Sequence, residues 1–143
     1  MKTFILGLVL LVTMFATGCN KKELDIQRKF PFTLTMRALP FKIKKYFPVD
    51  VRLRIVRERI YTGTKYKLIF TPLEGTGELT DQEGNFINPN QPFDLKEDIF
   101  TLSYRSYSDT EHIFDITIVD NFGQQQKIRA KLLNDDSVDQ VKR

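Results

Sequence analysis

The sequence predicts an all-β fold, an immunoglobulin-like sandwich of about seven short strands. Three observations support this prediction. Apolar and polar residues alternate with a period of two in several segments, as they do in strands with one buried face. Residues that favour turns separate these segments, and no segment of useful length carries the 3.6-residue period of an amphipathic helix. The 143-residue chain is long enough for one such domain.

The clearest predicted strand covers residues 49–55. Val51 and Leu53 point to one side of it, whereas Arg52 and Arg54 point to the other. In a helix the two arginines would fall on the apolar face, so the alternation favours a strand. The same period predicts five further strands and a short seventh one, at residues 32–36, 66–70, 100–104, 114–118 and 128–132, with 78–79 as the short strand.

Turn-forming residues separate the predicted strands at residues 61–64, 75–77, 88–90 and 120–123. The last of these segments, Asp-Asn-Phe-Gly, predicts a tight hairpin between the final two strands. Its Gly123 suits a position with positive φ, which glycine adopts without steric cost.

The first 18 residues form a predicted lipoprotein signal peptide, which precedes the β-sandwich. Lys2 supplies a positive start, residues 4–15 form an apolar core, and Ala-Thr-Gly leads directly into Cys19. The apolar core is too short for a transmembrane helix, which needs ~20 residues. Ala-Thr-Gly-Cys resembles a lipobox, in which the cysteine thiol takes a diacylglyceryl group and the chain is cut before the cysteine. The alternative is a free thiol in an ordinary secreted protein.

These features divide the chain into four predicted parts: a signal peptide at 1–18, the acylated Cys19 with a polar tether at 19–29, the sandwich at 30–133 and a polar tail at 134–143. We therefore expect a lipoprotein of the cell envelope that reaches a membrane through its lipid anchor. An aspartate directly after the acylated cysteine is associated with inner-membrane retention, but this chain has Asn20 at that position. Surface export is associated with an acidic run after the cysteine, but the next residues here are Lys-Lys-Glu. We expect an outer-membrane anchor that faces the periplasm.

Positive charge is concentrated in the first half of the mature chain. Residues 20–70 contain 14 Lys plus Arg and 4 Asp plus Glu, whereas residues 71–143 contain 7 and 14. Such a split is typical either of ordinary solvated strand positions or of an interaction face. The second interpretation marks five residues as a possible interaction face: Lys42, Lys44, Lys45, Arg52 and Arg54.

A basic face of this kind could bind an acidic protein, anionic lipid headgroups or DNA. Arg52 and Arg54 share one face of a predicted strand, so their charges project together. No aromatic residues interleave with them at the outward positions, so stacking of single-stranded bases is poorly supported. Among binding partners, a protein or envelope contact therefore ranks before a nucleic acid.

Few residues could perform catalysis or hold a metal. His112 is the only histidine, and its position at the start of a predicted strand predicts an exposed edge side chain. With Cys19 acylated, no second histidine or free cysteine remains to assemble a zinc site. We expect no metal, cofactor, catalytic residue or small-molecule substrate.

Two pairs of acidic residues lie in predicted loops, at 81/83 and 97/98. Neither has an apolar pocket beside it that would separate two carboxyl pKa values for acid–base chemistry. Residues 81–85, Asp-Gln-Glu-Gly-Asn, also resemble the start of a calcium-binding loop, but the bidentate acid further on is missing. The simpler interpretation of this segment is a polar loop.

An ordered set of short segments covers most of the mature chain: Glu-Leu-Asp-Ile-Gln from residue 23, Phe-Pro-Phe-Thr from 30, 66–70, Gly-Thr-Gly-Glu-Leu from 75, Phe-Thr-Leu-Ser-Tyr from 100 and Asp-Asn-Phe-Gly-Gln from 120. In this order and spacing, the segments resemble the TraQ family of conjugative transposons, small lipoproteins of Bacteroidetes. The resemblance implies a part in DNA transfer by conjugation, with protein partners in the transfer apparatus. It implies no enzymatic activity.

The expected function is therefore that of a non-enzymatic envelope lipoprotein, an accessory or structural component of conjugative transfer. The alternative is a cell-surface adhesin or a glycan-binding sandwich, and an enzyme ranks third. The fold prediction depends on periodicity, and the link to conjugation depends only on the resemblance.

Overall fold

The computed structural model describes residues 29–136, which form nine β-strands and no helix. The predicted signal peptide, Cys19, residues 20–28 of the tether and residues 137–143 of the tail lie outside the described residues. Within 29–136, no helix is long and apolar enough to cross a membrane. In chain order the strands are β1 Phe32–Met36, β2 Lys42–Ile43, β3 Pro48–Arg57, β4 Tyr66–Glu74, β5 Gly77–Thr80, β6 Pro92–Leu95, β7 Ile99–Ser106, β8 His112–Asp120 and β9 Gln125–Asn134.

The first sheet has four strands in the order β1-β3-β7-β5, all antiparallel to their neighbours. The ten-residue strand β3 lies inside this sheet, and its buried positions alternate with exposed ones as the sequence predicts. Leu53 pairs with Phe100 of β7, and Leu34 of β1 pairs with Ile55. The apolar residues of neighbouring strands therefore face the same side of the sheet.

The second sheet has five strands in the order β2-β9-β8-β4-β6. Its centre is β8, which pairs with β9 in a hairpin and with β4 on its other side. The two-residue strand β2 pairs with the end of β9 in parallel, and β6 covers the far edge of β4. The two sheets pack as a sandwich, which confirms the predicted fold class, with nine strands rather than about seven.

The core lies between the sheets and contains aromatic as well as aliphatic side chains. Tyr104 stacks on Phe114 with ring centroids 4.5 Å apart, and Phe70 meets Phe114 edge-on at 5.5 Å. Leu53 and Ile116, from opposite sheets, are 2% and 0% exposed. The full buried apolar set is Phe32, Ile43, Val51, Leu53, Ile55, Tyr66, Leu68, Phe70, Leu79, Ile87, Leu102, Tyr104, Phe114, Ile116, Ile118, Ala130 and Leu132.

All seven predicted strands are present, and two strands were missed. The first missed strand, β2, has only two residues, and the second, β6, begins at Pro92 and has four. Neither is long enough to show a period, and proline weakens any prediction of a strand. The hairpin turn at Gly123 is confirmed, with φ of 83° at that residue.

Candidate interaction site

The outer face of the first sheet carries a cluster of three arginines. Arg52 and Arg54 project from β3 and are exposed, as predicted. Arg37 follows β1 directly and donates its backbone N–H to the Arg52 carbonyl at 2.9 Å. The neighbouring strand therefore brings a third guanidinium group beside the two predicted ones. We call Arg37, Arg52 and Arg54 the arginine face.

The charges of the arginine face are only weakly compensated. Asp50 lies 3.5 Å from Arg52, at the outer limit of a hydrogen bond, and both side chains are more than half exposed. Within the described residues, neither Arg37 nor Arg54 forms an ion pair. Like charges opposite each other on adjacent strands are mildly destabilising. This face therefore presents a positive potential that an anionic partner would neutralise.

A shallow depression of about 280 Å³ lies among the three arginines and Ile99. Ile99 pairs with Arg54 across the β3–β7 ladder and is 63% exposed, which is high for a large aliphatic residue. The depression thus combines guanidinium groups with an apolar contact. That combination suits a protein surface with both carboxylate and aliphatic side chains better than a uniform polyanion.

The three predicted lysines do not lie on the same sheet face as the arginines. Lys42 belongs to β2 and pairs with Leu133 of β9 in the second sheet. Lys44 and Lys45 follow in the β2–β3 loop, where Lys45 forms a 2.9 Å ion pair with Asp109. The chain passes from one sheet to the other at this loop. The predicted interaction face is therefore divided between two regions of the surface.

His112 is completely buried, so the prediction of an exposed edge histidine is wrong. Its Nδ1 lies 2.8 Å from the Tyr104 hydroxyl, and its Nε2 lies 2.8 Å from Ser106 Oγ. The Ser106 hydroxyl donates its proton to the Ser108 carbonyl at 3.0 Å. Ser106 Oγ is therefore assigned as the acceptor of the hydrogen bond from His112, whose ring proton lies on Nε2. Nδ1 then accepts from the Tyr104 hydroxyl. Burial raises the pKa of Tyr104 to about 12, so this hydroxyl remains a donor.

Two glycines let the backbone pass close to this buried network. Gly75 has φ of 77°, and a Cβ there would lie 2.5 Å from His112 Nδ1 and 2.7 Å from the Glu111 carbonyl. A Cβ at Gly77 would collide with the Tyr104 hydroxyl and lie 2.7 Å from the Arg105 carbonyl. The Gly-Thr-Gly segment is therefore a packing requirement of the β4–β5 connection, and His112 is a structural residue.

The acidic loop at residues 81–85 is closed by its own hydrogen bonds. Asp81 Oδ1 accepts from the backbone N–H groups of Glu83 and Asn85 at 2.9 and 2.8 Å. Desolvation alone would raise the pKa of Asp81, but the Asn85 side-chain amide, which donates to Oδ2 at 2.8 Å, and these backbone bonds favour the charged carboxylate and lower it. No group of three or more potential metal-ligating side chains occurs within residues 29–136. Asp98, from the second predicted acid pair, is engaged by Arg57 at 2.6 Å.

Part of the negative charge in the second half of the chain stabilises the second sheet. Asp115, on β8, is 4% exposed, and its carboxylate accepts two hydrogen bonds from Arg129 of β9 at 2.8 and 2.9 Å. The Arg129 guanidinium holds the pKa of Asp115 below its ordinary value. This bidentate pair fixes the β8–β9 register from the outer face.

Comparison with known protein families gives a match over nearly the whole chain. The model of a family described as TraQ conjugal transfer protein matches residues 2–135. No curated protein sequence matches the chain.

Solved structures with the same fold include three proteins from Bacteroides species, of which two are conjugative transposon proteins. The crystal structure of a conjugative transposon lipoprotein from Bacteroides eggerthii is 28% identical, with a TM-score of 0.68 over 73% of this chain and 98% of the other. The solution structure of a conjugate transposon protein from Bacteroides vulgatus is 30% identical, with a TM-score of 0.66 over 83% and 95%. A lipoprotein from Bacteroides thetaiotaomicron is 29% identical, with a TM-score of 0.68 over 81% and 89%.

Proposed function

Because the chain belongs to the TraQ conjugal transfer family, we propose that it is a non-enzymatic envelope lipoprotein that serves as an accessory component of conjugative DNA transfer. The family match over residues 2–135 carries this proposal, and two of the similar structures come from conjugative transposons. Deletion of its gene from the element should lower the mating frequency, and the gene supplied in trans should restore it. Unchanged transfer by the deletion strain would refute the proposal.

A binding role fits the buried position of the only histidine. Both ring nitrogens of His112 are engaged by Tyr104 and Ser106, and the side chain has no exposed surface. It therefore cannot reach a substrate from solvent, which favours a structural or interaction role over acid–base catalysis. We expect the protein to act through contacts with proteins of the transfer apparatus.

The lipid anchor of the proposed function is Cys19, which follows the predicted signal peptide. Two of the similar structures are described as lipoproteins. A single acyl chain holds a protein only reversibly, but two or more give a stable anchor. Cys19→Ala should abolish incorporation of a fatty-acid analogue and move the protein from the membrane to the soluble fraction. Label retained by the variant would contradict acylation at this residue.

We place the anchor in the outer membrane, facing the periplasm. The residues after Cys19 lack the signatures of inner-membrane retention and of surface export. Protease added to intact cells should leave the protein uncut, and protease added after the outer membrane is opened should cut it. Cleavage in intact cells would mean exposure at the cell surface, as the alternative function of an adhesin requires.

The arginine face is the surface that we propose for contact with a partner in the transfer apparatus. Arg52→Glu combined with Arg54→Glu should reduce mating, because the reversal removes the positive potential beside Arg37. Both side chains are exposed, so the domain should stay folded by circular dichroism. Lys67→Glu with Lys96→Glu makes the same charge change on other exposed side chains and should leave mating unchanged.

Wild-type mating by a folded Arg52→Glu, Arg54→Glu variant would show that the arginine face is merely solvated. A loss in both would indicate that net charge matters rather than the position of the arginines. Contact through exposed charges should also weaken with added salt, because screening is strong beyond ~8–10 Å at ordinary ionic strength.

A further inference from the structure

One end of the sandwich, where the described chain begins, has the composition of a membrane-contacting surface. Three segments meet there: residues 29–31, the β3–β4 loop at 58–65 and the β8–β9 turn at 121–124. Gln124 Nε2 donates to the Phe30 carbonyl at 3.1 Å, and the Glu58 N–H donates to the Pro31 carbonyl at 3.2 Å. We call this surface the N-terminal platform. It consists of Lys29, Phe30, Arg59, Ile60, Tyr61, Lys65 and Phe122.

Asn121 holds the two loops of the N-terminal platform together. Its Nδ2 donates to the Gly63 carbonyl at 3.0 Å, its Oδ1 accepts the Lys65 N–H at 2.9 Å, and its own N–H donates to the Lys65 carbonyl at 3.0 Å. A Cβ at Gly63 would lie 2.7 Å from the Tyr61 ring, so the ring packs directly on the loop backbone. The loop is therefore preorganised, and its exposed side chains are held outward.

The apolar part of the platform combines one widely exposed aliphatic side chain with partly exposed rings. Ile60 is 84% exposed. Tyr61 follows it in sequence, and the half-buried rings of Tyr61 and Phe122 lie with their centroids 6.2 Å apart. The Arg59 guanidinium lies 5.8 Å from the centre of the Phe30 ring. Aromatic rings at headgroup depth, an aliphatic side chain and flanking cations are typical of surfaces that lie in a membrane interface.

The charges of the platform favour an anionic surface. Lys29, Arg59 and Lys65 are exposed cations, and Glu58 is the exposed acid among these segments. Asp120 is 5% exposed, and its carboxylate accepts the N–H groups of Phe122 and Gln124 within the turn. Each cation near an anionic bilayer contributes on the order of 1 kcal/mol of attraction.

The position of the chain start decides which partner this surface meets. Nine residues, 20–28, lie between Cys19 and the described domain, so ten Cα–Cα steps join Cys19 to residue 29. Fully extended they reach ~35 Å, and as a flexible coil about 17 Å. An acylated Cys19 therefore holds this end, rather than the opposite one, against the bilayer. A tethered surface needs little intrinsic affinity, because the local concentration of lipid is already high.

We propose that the N-terminal platform rests on the anionic headgroup surface of the membrane that holds the acyl chains. This inference depends on the proposed acylation of Cys19. It sets the orientation of the domain: the end with the β7–β8 loop and Thr110 points away from the bilayer, and the arginine face stands on the side of the sandwich. The face is then open to proteins that lie in or near the same membrane.

The test uses the acylated mature protein in vesicles of 70% phosphatidylcholine and 30% phosphatidylglycerol that contain nitroxide-labelled lipid. Acylation consumes the only natural cysteine, so one introduced cysteine can be labelled alone with a fluorophore. Thr62→Cys reports on the platform without changing Ile60, and Thr110→Cys reports on the opposite end; both threonines are exposed. Quenching of the label at position 62 should be several-fold stronger than at position 110.

Two further variants test the chemistry of the contact. Arg59→Glu with Lys65→Glu, or Ile60→Ser, should reduce quenching at position 62, whereas Lys67→Glu with Lys96→Glu should not. Vesicles of phosphatidylcholine alone should give weaker quenching than the anionic vesicles.

Equal quenching at the two positions, or stronger quenching at position 110, would overturn the proposal. Failure of the protein to float with vesicles would instead contradict the acylation on which the proposal rests. The orientation is measured in vesicles, so unchanged mating by the deletion strain would contradict the proposed function and leave the proposed orientation intact.

Discussion

Replacement of Gly75 by alanine tests the buried network more sharply than replacement of any network residue. Gly75 has φ of 77°, and the added Cβ would lie 2.5 Å from His112 Nδ1 and 2.7 Å from a backbone carbonyl. Gly84 is a matched control, because its φ is 85° and its added Cβ would have nothing within 4 Å. The two substitutions share the cost of left-handed backbone, and only Gly75→Ala adds a clash.

The left-handed conformation costs an alanine about 1–2 kcal/mol at either position. Overpacking at Gly75 adds roughly 1–3 kcal/mol, since a backbone carbonyl cannot move aside as a flexible side chain can. Gly75→Ala should therefore lower the free energy of unfolding by about 2–5 kcal/mol and Gly84→Ala by about 1–2 kcal/mol. With a urea m-value of about 2 kcal/mol per M, the midpoints should differ by roughly 1 M.

Urea unfolding followed by circular dichroism measures this difference, provided that the m-values of the two variants agree. Equal midpoints would refute the reasoning, because the network would then tolerate a methyl group where the structure leaves no room. If Gly75→Ala fails to fold while Gly84→Ala folds, the result agrees with the upper end of the expected loss in unfolding free energy.

Three further predictions concern the packing and the charges of the domain. Leu53→Ala should lower the free energy of unfolding by about 2–5 kcal/mol and clearly lower the thermal midpoint. Arg54→Ala should change the free energy of unfolding by no more than ~0.5 kcal/mol. Equal effects of the two substitutions would mean that the register of β3 is wrong. His112→Phe should lower the free energy of unfolding by about 1–3 kcal/mol, because it leaves the Tyr104 hydroxyl buried without a partner. The double variant that also carries Tyr104→Phe should regain part of this stability. Asp115→Asn should destabilise the protein at neutral pH, because the lowered pKa of Asp115 stabilises the fold above the carboxyl's unfolded value. The difference in unfolding free energy between this variant and the wild type, measured by urea titration, should shrink below about pH 4 and vanish once the pH is below the lowered pKa of Asp115. A difference in stability that persists at that pH would contradict the ion-pair explanation.

The period-two pattern predicted the fold because it reports directly on which residues are buried. In β3 the alternation runs over most of a ten-residue strand, and the observed burial follows it residue by residue. The same rule, applied further, would have placed His112 correctly. His112 has the same parity as Phe114 and Ile116 on β8, and these three side chains are all buried. The wrong prediction followed from treating a strand terminus as an edge.

The interaction face could be predicted only in part, because it depends on pairing between strands distant in sequence. Arg52 and Arg54 follow from the period of a single strand. Arg37 joins them only through the β1–β3 register, which no local pattern reports. Lys42 and Lys45 lie near the arginines in sequence but separate from them, since β2 joins the second sheet. Sequence proximity therefore overestimated the extent of one face and missed a member of it.

We propose that the protein supports DNA transfer from a lipid-anchored position in the cell envelope. The most direct measurement is the mating frequency of a deletion strain that expresses either the wild-type protein or Cys19→Ala at equal, immunoblotted levels, with the signal sequence otherwise unchanged. We predict that the wild type restores transfer and that the variant, recovered in the soluble fraction, does not. Full transfer supported by the soluble variant would contradict the claim.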